Sequence, residues 1–363
     1  MSVDVVAWTE EGRVALAKEL SCRGLSLRGA DEGDLRRTVT ALVRRFGPCW
    51  QRGGASSDDV GRAAVAFACG EWEQALGAAT VEEVAGMASL LGARSDDDGG
   101  AFTEIVLRRR GIGFALGMLA SMWSLVTNYS DPDWPHSEER LAIWLKAISP
   151  DHSSSQDTSV SHGKGDVAYF LAARHRDSTD EARAEAVRAA SELWAETPMH
   201  TRPALACAVE DVDLAEEIAS DLFAGKTTSH PSFGWQCLPT LIRSRSLLDR
   251  LHADGHFPFT YRGLDALGAA ALPYYDDALG KRATGSFLRE RMIEQLVNVR
   301  GPVTASILAR FADKAPLKKG VRAYFARYPE LRDAVLDDAK LAAFRGAVEK
   351  LTATARKGKA RRP

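Results

Sequence analysis

The stretch LDALGAAALPYYDDALGKRA, residues 264–283, decides the fold. Leu264, Leu267, Ala271, Leu272 and Leu279 recur at helical spacing and make one apolar face. Pro273 falls inside this pattern, where a proline removes one backbone hydrogen bond and bends the helix. Working outward, Phe287, Ile293, Leu296 and Val297 supply a second, straighter helix. Val303 to Phe311 and Val321 to Tyr328 make a further pair, closed by Tyr328-Pro329-Glu330. Leu341, Phe344, Val348 and Leu351 form a last stripe.

The same period runs through the upstream half. Leu35, Val39, Leu42, Val43 and Phe46 share a face, and Gly47-Pro48 is expected to stop that helix. Thr80 and Glu83 make a capping box ahead of Val84, Ala88 and Leu91, with Gly92 closing the helix. Ser178 and Glu181 repeat the device before Ala182, Ala186, Ala190, Leu193 and Trp194. Leu214, Ile218 and Leu222 form another stripe, ended by Gly225. Sustained alternation of Val, Ile, Thr and aromatics is missing, so the fold class expected is all-α.

The proline-bearing first helix followed by a straighter second one resembles a HEAT repeat, most firmly over residues 260–350. The resemblance implies a stack of antiparallel helix pairs, an α-solenoid or irregular helical array, with an extended concave face that holds partners. It implies no chemistry. The polar run SPDHSSSQDTSVSHGK (149–164) is read as a loop between an N-terminal helical region (1–148) and a C-terminal HEAT-like region (165–351). ARSDDDGG (93–100) and KTTSHPSFGWQ (226–236) read as further loops, and 352–363 as a basic, disordered tail.

Composition narrows the function classes. Among 363 residues, 45% are hydrophobic and 26% charged, which suits a chain that buries a core. A net charge of -2 argues against a dedicated nucleic-acid binder, though it leaves a local basic patch open. Cys22, Cys49, Cys69, Cys207 and Cys237 are scattered with no CxxC pair, as expected of core residues in a reducing compartment. The N-terminal MSVDVVAWTEEGR lacks the pattern of a secretory signal, so the expected location is cytoplasmic.

The candidate chemistry is sparse. GIGFALGMLASMWSLV (111–126) carries no charge and follows Arg108-Arg109-Arg110. It is shorter than a membrane span requires, so it reads as a buried helix with Phe114, Leu116, Leu119, Trp123 and Val126 covered, and no membrane partner is expected. Its GxGxxxG spacing lacks the preceding strand that a dinucleotide site needs, and glycine-mediated helix packing is the better reading. In HADGH, His252, Asp254 and His256 could in principle ligate a metal, but Asp254-Gly255 signals a turn that directs the histidines apart. His152 and His162 lie in the polar run, and a pair of flexible histidines is a weaker metal candidate still. No GxSxG, GxxxxGK[ST] or HExxH is present, so no catalytic, metal or cofactor residue is assigned.

The expected function is a protein-binding helical scaffold or adaptor without catalytic activity. Trp134, Trp235, Phe257, Phe259 and Tyr261 are the aromatics least explained by a helical stripe and are the candidate partner-binding residues. The alternatives are an enzyme with a dispersed active site near His252–His256, or a helical array gripping nucleic acid through converging arginines.

Overall fold

Leu35, Val39 and Phe46 are buried along one face of the helix Glu32–Gly53, as their spacing anticipates. The computed structural model describes residues 6–20, 30–92, 98–129, 142–147, 161–197, 201–225, 238, 240–255, 257, 259–281, 285–314 and 317–359. A two-residue strand β1 (Ala7–Trp8) and helix α1 (Glu10–Leu20) come first, then α2 (Glu32–Gly53), α3 (Asp59–Cys69), α4 (Trp72–Ala75), α5 (Val81–Gly92) and α6 (Asp98–Trp123). Strands β2 (Leu125–Tyr129) and β3 (Ile143–Ala147) precede α7 (Ser161–Arg176), α8 (Asp180–Trp194), α9 (Arg202–Val209), α10 (Val212–Phe223) and α11 (Arg245–Ala253). The chain continues through α12 (Tyr261–Leu267), α13 (Leu272–Gly280), α14 (Ser286–Leu296) and β4 (Val299–Arg300). It closes with α15 (Pro302–Ala309), α16 (Lys318–Arg327), α17 (Pro329–Asp337) and α18 (Ala342–Lys359). Among the described residues the only sheets are the pairs β1–β4 and β2–β3, so the fold class is all-α.

The chain divides into two compact units, one formed by Leu20–His256 and the other by Met1–Glu19 with Phe257–Pro363. The division does not fall in the polar run 149–164: α7, which includes residues 161–164, packs on α5, α6 and α9 within one unit. The remainder of that run lies outside the described residues.

In the first of these units α6 is central, packed against α2, α5, α7, α8 and α9. Phe102, Ile105, Leu116, Met118 and Leu119 on α6 are fully buried, while Phe114 and Trp123 are half-buried. The charge-free stretch 111–126 is not one helix. Gly111, at φ 79° and ψ 175°, breaks α6 at its start, and Val126 belongs to β2. The other two positions do not depend on glycine for helix packing: a Cβ on Gly113 would lie 3.7 Å from Ala189 and one on Gly117 3.6 Å from Val81, both ordinary contacts. Among the described residues no helix is long and apolar enough to cross a membrane.

Glycines also let the β2–β3 pair lie flat on α2, α3 and α5. A Cβ at Gly53 would stand 1.9 Å from the Ile143 carbonyl oxygen, and one at Gly61 2.1 Å from that of Leu145. The β3 edge is satisfied by side chains, because Leu145 N donates to Ser57 Oγ (3.2 Å) and Ala147 N to Asp58 Oδ2 (2.6 Å). Asp58 also caps α3 through its other oxygen, which accepts from Gly61 N at 2.8 Å.

Four helix boundaries differ from expectation. Pro48 does not stop α2, which runs on to Gly53 because Cys49 and Trp50 beyond the proline are buried. Thr179, not Ser178, caps α8, accepting from Ala182 N, while Ser178 Oγ donates to Arg174 O. Pro273 lies in the first turn of α13 rather than inside a helix; the bend comes from Gly268, whose φ of 56° ends α12. The expected tail from 352 continues α18 as helix to Lys359. The Thr80–Glu83 capping box forms as read, with reciprocal bonds of 2.9 and 3.2 Å.

Candidate interaction surface

Two of the five aromatic candidates, Phe257 and Phe259, come together in the packing of the second unit, and a third, Tyr261, packs elsewhere in that unit. Phe257 is buried, its ring 4.4 Å from that of Tyr274 and 5.2 Å from that of Phe259. Phe259 meets Tyr275 edge-on at 5.0 Å. The Tyr275 hydroxyl donates to Gln295 Oε1 (2.6 Å), and Gln295 Nε2 donates to the Phe259 carbonyl (2.9 Å), which satisfies a fully buried amide. Tyr261 is half-buried, 5.7 Å from Trp8, and its hydroxyl accepts from Asn298 Nδ2 at 3.1 Å. Trp134 and Trp235 lie outside the described residues.

HADGH forms the turn its sequence suggests. His252 sits in the last turn of α11, Asp254 caps it, and Gly255 has φ 79°. His256 lies outside the described residues, as does His152, and the backbone of His162 is in α7. Among the described residues no group of three His, Cys, Asp or Glu side chains is placed to hold a metal ion.

The densest charge lies around α6. Glu104 is fully buried, and its carboxylate accepts from Arg108 Nε at 2.7 Å and stands 3.2 Å from Arg174 Nε. Arg109 Nε donates to Glu32 (2.9 Å) and its Nη1 to the Glu73 carbonyl (2.8 Å). Hydrogen bonds from Arg36 and then Arg109 hold the Glu32 carboxyl below its usual range. Arg110 donates to the carbonyls of Leu76 and Ala79 and lies 3.7 Å over the Phe114 ring. The three arginines ahead of Gly111 are therefore directed at their own unit, where they bind carbonyls left over at the end of α4 and carboxylates of α2 and α6. Nearby, His175 is half-buried and its Nδ1 has no hydrogen-bond partner among the described residues; burial, followed by the charge of Arg183, pushes its pKa down against a smaller opposing pull from Asp211.

No protein-family model, curated protein or solved structure matches the chain.

The surface offers more than the interior. Among the described residues the exposed large apolar side chains are Val14, Phe287, Leu288 and Val303, and all four belong to the unit that holds the C-terminal helices. Phe287 is 77% exposed and adjoins Leu288 in the first turn of α14. The sequence groups Phe287 with Ile293, Leu296 and Val297 in this helix, but Phe287 does not share their face. At about 100° per residue it lies about 240° around the helix from Ile293, which is the signal that sets it apart from the stripe of Met292, Ile293 and Leu296.

Proposed function

We propose that the chain is a helical binding scaffold whose docking point for another protein is the first turn of α14. The observation behind this is the exposure of Phe287 beside Leu288. A phenylalanine left in water forgoes about 1.5–3 kcal/mol of burial, so its surface position is better matched to an interface than to the isolated chain. The rest of the solvent face of α14 carries Glu290, Arg291 and Glu294, which gives an apolar anchor a rim of both charges, the anatomy of a protein interface. The fitting occupant is an apolar pocket with a mixed-charge rim on a different protein. The succession α13 to α18, short helices at short intervals, is read as a degenerate HEAT-like stack that presents this turn.

The test replaces Phe287 and Leu288 with serine together in the full chain. Cross-links from a partner to residues 281–294 should disappear, with the helical melting temperature within about 2 °C of the parent, because neither side chain supports the core. Retention of the same cross-links by the double variant would overturn the reading. So would loss of a self-association seen with the parent in light scattering, which would make the occupant a second copy.

A further inference from the structure

We propose that the solvent face of α16, continued by α18, binds the phosphate backbone of nucleic acid without reading its sequence. Whole-chain charge conceals this face. Met1–Glu19 with Phe257–Pro363 carries 23 Lys and Arg against 15 Asp and Glu, whereas Leu20–His256 carries 24 against 34. The near-neutral chain is thus one strongly basic unit and one strongly acidic unit, and a polyanion responds to the local field rather than to the sum.

Five of these cations fall at positions 356–362; in the rest of the unit the largest run of unopposed cations is α16. Its sequence, KKGVRAYFAR, has no acidic residue; Val321, Tyr324 and Phe325 turn inward and Lys318, Lys319 and Arg322 are exposed. Arg327, at the far end, is engaged with Glu11 at 2.9 Å. Lys318, Lys319 and Arg322 make no ion pair among the described residues. They repel one another at i,i+3 and i,i+4 spacing, a cost of about 0.2–0.5 kcal/mol per pair. The two lysines also occupy the first turn, where the helix dipole disfavours cations. α18 packs against α16 and exposes Arg345, again without an ion pair among the described residues; Glu349 is the acid on that helix.

The chemistry of the occupant follows from what accompanies the cations. The remaining exposed side chains of α16 are Ala323 and Ala326. A protein partner needs apolar or aromatic anchors to bind, and this face has none; a phosphate backbone needs only cations that it can approach closely. Lysines act as point charges with no base-edge geometry, so the contact is indifferent to sequence. This inference is independent of the α14 docking point and uses other residues.

The test is fluorescence anisotropy of the full chain with a labelled random-sequence DNA duplex, across about 50 to 200 mM salt. Neutralising about four phosphates should give a slope of log affinity against log salt of about -3 to -4, with two unrelated sequences bound alike. The variant K318E/K319E/R322E should bind at least tenfold more weakly with a flatter slope and an unchanged circular-dichroism melt. Should that variant not fold, Arg322→Gln alone should still weaken binding and flatten the slope by about 1. Arg44→Glu, at an exposed position of α2 in the acidic unit, should change neither. Absence of low-salt binding by the parent, unchanged binding by the folded variants, or a tenfold preference between the two sequences would overturn the proposal. Equal affinity for polyglutamate, competing with DNA, would assign the face to an acidic protein instead and would likewise overturn it.

Discussion

At the scale of single residues, the tightest constraints in this protein are positions where a side chain has no room. Gly53 and Gly61 admit the β3 backbone to within about the distance of a covalent contact from where a Cβ would stand, 1.9 and 2.1 Å. The obstacle is a carbonyl oxygen in a strand pinned by Ser57 and Asp58, so it cannot swing aside like a flexible side chain. Gly53→Ala and Gly61→Ala are each expected to cost about 2–3 kcal/mol or more in urea denaturation. A Cβ at Gly54, one residue on, would meet nothing within 4 Å among the described residues, and Gly54→Ala should stay within about 0.5 kcal/mol of the parent. Nothing in the local sequence distinguishes Gly53 from Gly54. The difference is made by a strand ninety residues downstream in the chain.

Helices were legible where their ends are written in local chemistry and misread where burial overrides it. Thr80 and Glu83 exchange backbone bonds as their spacing dictates, because a capping box involves only residues within one turn. At Pro48 the local rule fails. The residue lacks the N–H that would bond back to Arg44, yet α2 passes through it, since ending there would expose Cys49 and Trp50. Pro48 is exposed, so the side chain itself contributes little packing. Pro48→Ala restores the missing bond and is expected to raise stability by about 1 kcal/mol, read as a higher melting temperature. A lower one would mean that a bend at this point is required for Trp50 to reach its site. The stretch 264–283 carries the same lesson: its bend is real, but it arises at Gly268, where the backbone turns, and Pro273 restarts the helix.

For the whole molecule, the decisive contacts join the two ends of the chain. Trp8 Nε1 donates to Asp265 Oδ1 at 2.8 Å, Thr9 is hydrogen-bonded to Asn298 through both backbone and side chain, and β1 pairs with β4. The N-terminal segment is therefore part of the C-terminal unit. Trp8→Ala should destabilise that unit by about 2 kcal/mol, a partial-burial discount on a full Trp truncation. Hydrogen exchange should report it as faster exchange in α12 and α14 with α5 and α6 unaffected; equal loss in both units would show that they unfold as one.

The sequence by itself determined that this chain is helical, where its stripes lie and that HADGH is a turn, because periodicity, caps and turn residues act within a few positions of one another. It also contained the angular offset of Phe287 from its stripe, a signal available to anyone who counts degrees around the helix. The tertiary structure alone shows Phe257 and Phe259 packed on Tyr274 and Tyr275, Tyr261 against Trp8, and the arginines before Gly111 bonded within their own unit. It alone divided a nearly neutral chain into a basic and an acidic unit, since that division depends on which distant segments pack together, and packing is set by shape and burial across the whole fold rather than by any local pattern.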